Sequence, residues 1–151
     1  MTNNYEDSHL QDDINHYQSL DGLQILVVDD NEDSLFLTTF ILESYGIQVT
    51  TATSALEALE IIKNCRFDIL IFDIAMPKVD GYSLIRKVRQ MLTLQKQHTP
   101  AIALTALNSE DSYHLAFLSG FQSYVHKPVE ASILIAEITK ILGFSQEGNG
   151  E

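Results

Sequence analysis

Asp73 closes the apolar run Ile69-Leu70-Ile71-Phe72, and a Met76-Pro77 turn and an Asp80-Gly81 turn follow at once. Strands buried on both faces read as near-continuous apolar runs, so residues 69–72 suit the middle of a parallel sheet. Asp73 then sits at the carboxyl end of that strand, where open α/β sheets place their ligands. A strand-end aspartate can equally cap the next turn. Other runs end in chemistry too: Gln24–Asp29 in Asp29-Asp30, Pro100–Thr105 in Thr105, and Gln122–His126 in the Lys127-Pro128 that breaks it.

Brought to one edge, three carboxylates repel. At an effective dielectric of about 20, two unit charges roughly 4 Å apart cost about 4 kcal/mol. A hard divalent cation relieves that repulsion, and Mg2+ takes one or two carboxylates plus waters and phosphate oxygens. Asp29, Asp30 and Asp73 suit it better than they suit a Ca2+ loop, whose spacing is absent. A metal-bound carboxylate facing a lysine can also attack phosphorus and form an aspartyl-phosphate. Such transfer needs its equatorial oxygens neutralised. The cation can hold one oxygen, the Lys127 ammonium a second and the Thr105 hydroxyl a third. Each residue has a plainer role, an ion pair for Lys127 and a strand-end hydroxyl for Thr105. Their convergence favours the joint one.

The elements that must position these residues alternate with little slack. A helix is expected from about Asp33 to Tyr45, with Leu37, Phe40, Ile41 and Tyr45 on one face and Gly46 at its end. Gln48–Ala52 is a β-branched strand, and Ser54-Ala-Leu-Glu57 is a capping box. Ala55, Ala58, Leu59 and Ile62 stripe the helix it opens. After Asp73, a helix runs from Gly81 to about Met91 with Leu84, Ile85, Val88 and Met91 inward. A weaker one spans Ser109–Ser119, and the last runs from about Glu130 to Leu142. Five β-α units argue for a parallel sheet covered by helices on both faces. Right-handed crossovers then align all the strand ends along one edge.

The chain of 151 residues is enough for one full core and short for two. Its net charge of −12 disfavours nucleic acid or an anionic membrane as a direct partner, and Arg86, Lys87 and Arg89 make no basic patch. Cys65 is the single cysteine, so no intramolecular disulfide forms. The five histidines lack ligand spacing. No signal peptide or membrane-length apolar run is visible, and a cytoplasmic location is expected. Residues 1–22 read as a flexible acidic extension. Leu10, Ile14, Tyr17 and Leu20 recur at spacings that leave a short docking helix open, with partner selection or homodimer contacts as roles. Residues 23–143 form the domain and 144–151 a flexible tail.

Taken together, Asp29-Asp30, Asp73 with Met76-Pro77 and Asp80-Gly81, Thr105-Ala106 and Lys127-Pro128 resemble the motif set of the response-regulator receiver domain. The match is to its stand-alone, chemotaxis-regulator-like form and covers roughly residues 23–143. The resemblance implies a flavodoxin-like, doubly wound, five-stranded parallel sheet of order 2-1-3-4-5. It implies a signalling switch that catalyses only its own phosphorylation and slow dephosphorylation. Asp73 would be the phosphoacceptor, charged from the phosphohistidine of a sensor histidine kinase or a histidine phosphotransfer protein. Asp30 and Asp73 would bind Mg2+ directly with the main-chain carbonyl of Ala75, and Asp29 largely through water.

By the same resemblance Lys127 would pair with the phosphoryl group, Pro128 would follow a cis peptide bond, and small Ala106 would leave the phosphoryl pocket open. Tyr124 falls where the family keeps an aromatic switch residue. When Thr105 turns toward the phosphoryl group, that ring enters the vacated space and rearranges the surface of the fourth helix, fifth strand and fifth helix. Ala75 and Leu107 fall where the family tunes phosphoryl lifetime, and both are apolar, so slow self-dephosphorylation is expected. With no output domain expected after Leu142, action is through a downstream protein target and not DNA. A receiver-like scaffold that is never phosphorylated is the main alternative. A haloacid-dehalogenase-type phosphatase would need a second Asp where Ala75 stands.

Overall fold

Period-two alternation along the strands decides which side chain serves which face of the sheet. In the computed structural model, which describes residues 20–91, 98–106 and 109–150, Leu26, Val28, Leu70, Phe72, Ala101 and Ala103 line one core. Ile25, Val27, Ile69, Ile71, Ile102 and Leu104 line the other. The strands are β1 (Gln24–Val28), β2 (Gln48–Ala52), β3 (Ile69–Asp73), β4 (Ala101–Thr105) and β5 (Ser123–His126). They pair in parallel in the order β2-β1-β3-β4-β5. Every residue of β3 and β4 is buried, whereas the edge strands β2 and β5 keep exposed positions. This is the flavodoxin-like doubly wound arrangement.

Helices α1 (Glu32–Glu43), α2 (Ala55–Asn64), α3 (Gly81–Arg89), α4 (Glu110–Ser119) and α5 (Ala131–Gly150) connect and follow the strands. Side chains of α2, α3 and α4 pack into the core of Phe72, and those of α1 and α5 into the core of Ile71. Local chemistry starts four of them. Asn31, Ser54, Asp80 and Ser109 each accept a backbone N–H from three residues on, which satisfies a donor the first helical turn would leave orphaned. Glu57 reaches back as a capping box requires, although it accepts from the N–H of Thr53 and not of Ser54.

Three expectations need correcting. Helix α1 buries Thr38, Ile41 and Leu42, while Leu37 and Phe40 point outward, Phe40 at 63% exposure. Its apolar residues run nearly all round, so periodicity offered two stripes, and the sheet took the one that includes Thr38. Helix α5 passes the expected stop near Leu142 and continues to Gly150. Gly143 lacks the positive φ found at Gly46 and Gly120, and a glycine without it weakens a helix but does not end it. Leu20, assigned to the flexible extension, is buried at 1% exposure in the core that holds Ile41, Leu42 and Ile47. The Gly22 N–H donates to the Gly46 carbonyl at 2.9 Å and ties this entry turn down. Gly46, at φ 81°, lies against the Asp21 side chain, where a Cβ would collide. The Leu10, Ile14 and Tyr17 stripe lies outside the described residues. Among the described residues, no helix is long and apolar enough to cross a membrane.

Candidate functional site

Parallel register carries the chemistry to one edge. Val28 pairs with Phe72, so Asp29 and Asp73 leave the sheet side by side, and Asp73 pairs with Leu104, one residue before Thr105. Backbone bonds hold these ends: Asp29 N–H to Ala52 carbonyl at 3.1 Å, Ile74 N–H to Leu104 carbonyl at 2.9 Å, and Lys127 N–H to Thr105 carbonyl at 2.9 Å. The side chains therefore emerge from strand ends that are already fixed, which is how a fold preorganises a site.

One carboxylate oxygen from each of Asp29, Asp30 and Asp73 can be chosen so that all lie within 4.8 Å of one another. Asp29 and Asp73 are buried and Asp30 is exposed. The Lys127 ammonium bridges the buried pair, 3.0 Å from Asp29 Oδ2 and 3.4 Å from Asp73 Oδ1. Asp29 Oδ1 accepts the Asn31 N–H at 3.0 Å. Asp29 Oδ2 is buried without a hydrogen-bond partner, so the Lys127 charge is left to balance it. Two buried carboxylates and one lysine leave a surplus of negative charge. Burial raises the Asp73 carboxyl from the usual 3.8 to about 6, the Asp29 carboxylate raises it as well, and Lys127 opposes both. An all-oxygen donor set and a net negative charge that one lysine does not balance fit a hard divalent cation such as Mg2+.

The loop after Asp73 is folded tightly against the site. The Ile74 carbonyl accepts the N–H groups of both Met76 and Gly81, at 3.1 and 3.0 Å. A Cβ at Gly81 would stand 2.5 Å from the Asp73 carbonyl oxygen, so only glycine lets α3 start this close to Asp73. Lys78 turns the loop at φ 68°, the left-handed region that side chains other than glycine seldom adopt. Ala75 is exposed in this loop. A depression of about 430 Å³, lined by Asn31, Asp33, Ser34, Leu37, Lys127 and Pro128 among others, opens beside the site.

The structure thus brings together Asp29, Asp30, Asp73 and Lys127, and places Thr105, buried, at the neighbouring strand end with exposed Ala106 after it. The Lys127-Pro128 peptide is cis. Tyr124 is half-buried on β5 against α4. Leu107 lies outside the described residues. Sequence reasoning missed the partners of Tyr124. Tyr113 stacks on it at 4.1 Å and holds His126 through its hydroxyl at 2.6 Å. No local spacing could announce them, because the contacts cross between α4 and β5.

Comparisons with known proteins agree with this geometry. The sequence model of the family described as response regulator receiver domain matches residues 25–139. A 14.6 kDa protein of Leptolyngbya boryana, described as uncharacterized, is 44% identical over 119 residues, covering 78% of this chain and 88% of that one. Other curated relatives match at 35% identity, and the chain spans about half their length. The chemotaxis protein CheY4 of Vibrio cholerae superposes with a TM-score of 0.74 at 27% identity, covering 79% of this chain and 98% of that chain. The receiver domain of a sensor histidine kinase from Pseudomonas aeruginosa, solved with a magnesium ion in its active-site cleft, superposes with a TM-score of 0.70 at 28% identity. The match covers 79% of this chain and 95% of that one.

Proposed function

The chain belongs to the response-regulator receiver domain family of two-component systems, and from that premise we propose that Asp73 accepts a phosphoryl group from a phosphohistidine. The donor is a sensor histidine kinase or a histidine phosphotransfer protein in the cytoplasm. The observation that carries this reading is the Lys127 ammonium set between two buried carboxylates, one of them the strand-end Asp73. An ion pair that served stability alone would need one carboxylate. The second, with the exposed Asp30 beside it, makes an anionic cradle suited to a cation and a phosphoryl group.

In the transfer, an Asp73 carboxylate oxygen forms a bond to phosphorus as the phosphorus–nitrogen bond to the donor imidazole breaks. The imidazole nitrogen keeps the electron pair and is reprotonated from water. Asp30, Asp73 and the main-chain carbonyl of Ala75 would hold Mg2+, with Asp29 acting through water, and the ion when bound would neutralise phosphoryl oxygen charge. Lys127 offers its ammonium to a second oxygen and Thr105 its hydroxyl to a third. As Thr105 turns toward the phosphoryl group, Tyr124 follows into the vacated space. The surface of α4, β5 and α5 then changes for a downstream protein.

Incubation with Mg2+ and acetyl phosphate tests the assignment. An acid-stable, alkali-labile adduct is expected on the native chain and not on Asp73→Asn. Equal labelling of both, or of neither with any donor or kinase, overturns it. The phosphoryl group should also last. Ala75 is exposed beside the site, yet its methyl side chain carries no polar atom that could orient an attacking water, and Leu107 is apolar as well. Loss of the adduct within seconds at neutral pH would count against that role for the two positions.

A further inference from the structure

The phosphoryl chemistry has no use for Tyr113 or His126, yet the two residues hold the ring on which the switch depends. Tyr113 lies parallel to Tyr124, 4.1 Å between centroids with 6° between planes. The Tyr113 hydroxyl lies 2.6 Å from His126 Nε2. His126 stands edge-on to both rings, at 5.5 and 5.9 Å, and Phe117 packs against Tyr124 at 5.9 Å. Spacing explains the cluster. Tyr113 and Phe117 are one helical turn apart on α4, and Tyr124 and His126 are alternate residues on one face of β5.

We propose that Tyr113 is a positioning residue which, with His126, clasps Tyr124 in its resting place and so sets how readily the switch responds to a phosphoryl group. The proposal rests on the reading of Thr105 and Tyr124 as the switch. For the Tyr124 ring to move beside Thr105 with its stack intact, it must draw Tyr113 with it. Drawing Tyr113 along breaks the bond to His126. His126 in turn is the register partner of Thr105, and the Lys127 N–H after it donates to the Thr105 carbonyl. The clasp is therefore fastened at the strand ends that the phosphoryl group reorganises. The bond forms with either ring tautomer, since a hydroxyl both donates and accepts.

A clasp made only in the resting state lowers affinity for whatever favours the other state, by the same free energy. Beryllofluoride with Mg2+ is the probe, as an unreactive mimic of the phosphoryl group on aspartate, with affinity read on the full chain. Tyr113→Phe removes the hydroxyl and keeps the stack, and His126→Phe removes the same bond and keeps an edge-on ring. Each should tighten beryllofluoride binding about threefold, the worth of one hydrogen bond. The double variant should do no more than either alone, because both remove one bond. Tyr113→Ala also loses the stack and should tighten it about tenfold. Mg2+ affinity without beryllofluoride should not change, since the carboxylates are untouched.

Unchanged or weakened beryllofluoride affinity in Tyr113→Phe overturns the clasp, as would effects of Tyr113→Phe and His126→Phe that multiply in the double variant. Failure of the native chain to bind beryllofluoride would instead remove the phosphoacceptor reading, and the clasp with it. Tyr113→Phe keeps the ring, and His126→Phe puts a larger ring at an exposed position, so the test stands even if Tyr113→Ala unfolds.

Discussion

Lys127→Ala is expected to destabilise the metal-free protein at pH 7.5 by about 3 kcal/mol and to slow phosphorylation of Asp73 by about a hundredfold or more. Both losses have one source. The Lys127 ammonium stands 3.0 Å from Asp29 and 3.4 Å from Asp73, and both carboxylates are buried. Removing one partner of a buried pair leaves the other charge uncompensated, which costs more than the pair itself contributes. Here two charges are left, and Asp29 Oδ2 has no hydrogen bond to fall back on.

The loss should depend on pH with a definite sign. Lys127 holds the Asp73 pKa down against burial, so its removal pushes a value already near 6 higher still. At pH 5 Asp73 is then largely protonated in the variant, and one of the two stranded charges is gone. The stability gap between native chain and variant should therefore narrow from pH 7.5 to pH 5. Mg2+ should narrow it too, by replacing the missing positive charge. Urea melts at the two pH values, with EDTA or excess Mg2+, measure both. A gap that is the same under all four conditions would show that Lys127 acts through packing of its alkyl stem and not through charge. Phosphorylation should stay slow in Mg2+, because the cation and the lysine serve different oxygens.

How far residues alone could lead here depended on the range of the contacts. Asp29, Asp73, Thr105 and Lys127 were legible because each sits where an apolar run stops, and parallel topology converts such ends into neighbours. The exposed side of α1 was not. Phe36 at 74% and Phe40 at 63% exposure stack on each other in solvent, while Thr38 is buried. A helix apolar on every side carries no internal mark of which side meets the sheet. Leu20 was misassigned for a related reason. It follows a polar, acidic stretch, and its burial comes from a turn against Gly46 that no local pattern specifies. Tyr113 and His126 lie at the same limit, ordinary in their own elements and informative only once α4 and β5 are together.

Asp73→Asn should make the metal-free protein more stable, by about 2 kcal/mol at pH 7.5, while ending its phosphorylation. The folded-state pKa of Asp73 is raised to about 6 from 3.8. A carboxyl with a raised folded pKa contributes stability that is fully present below the unfolded value and is lost as pH rises through the folded one. At pH 7.5 that loss is complete, and 1.36 kcal/mol per unit gives an upper figure of roughly 3 kcal/mol. Screening by water that reaches the open site trims it to about 2 kcal/mol, a rise in Tm of about 4–8 °C for a domain of this size. Between pH 6 and pH 4 the advantage of Asn should shrink steadily, because the native Asp73 becomes neutral as well. Mg2+ should act in the opposite sense on the pair. It stabilises the native chain by binding the folded state and stabilises the variant less, since one ligand is gone, so the two melting curves converge as Mg2+ is added. Thermal melts of both chains from pH 4 to pH 8, in EDTA and in Mg2+, carry the test. An Asp73→Asn variant less stable than the native chain at pH 7.5 in EDTA would mean that Lys127 outweighs burial and Asp29 together. The resting site would then be a structural ion pair, and not an anionic cradle under strain until a cation and a phosphoryl group complete it.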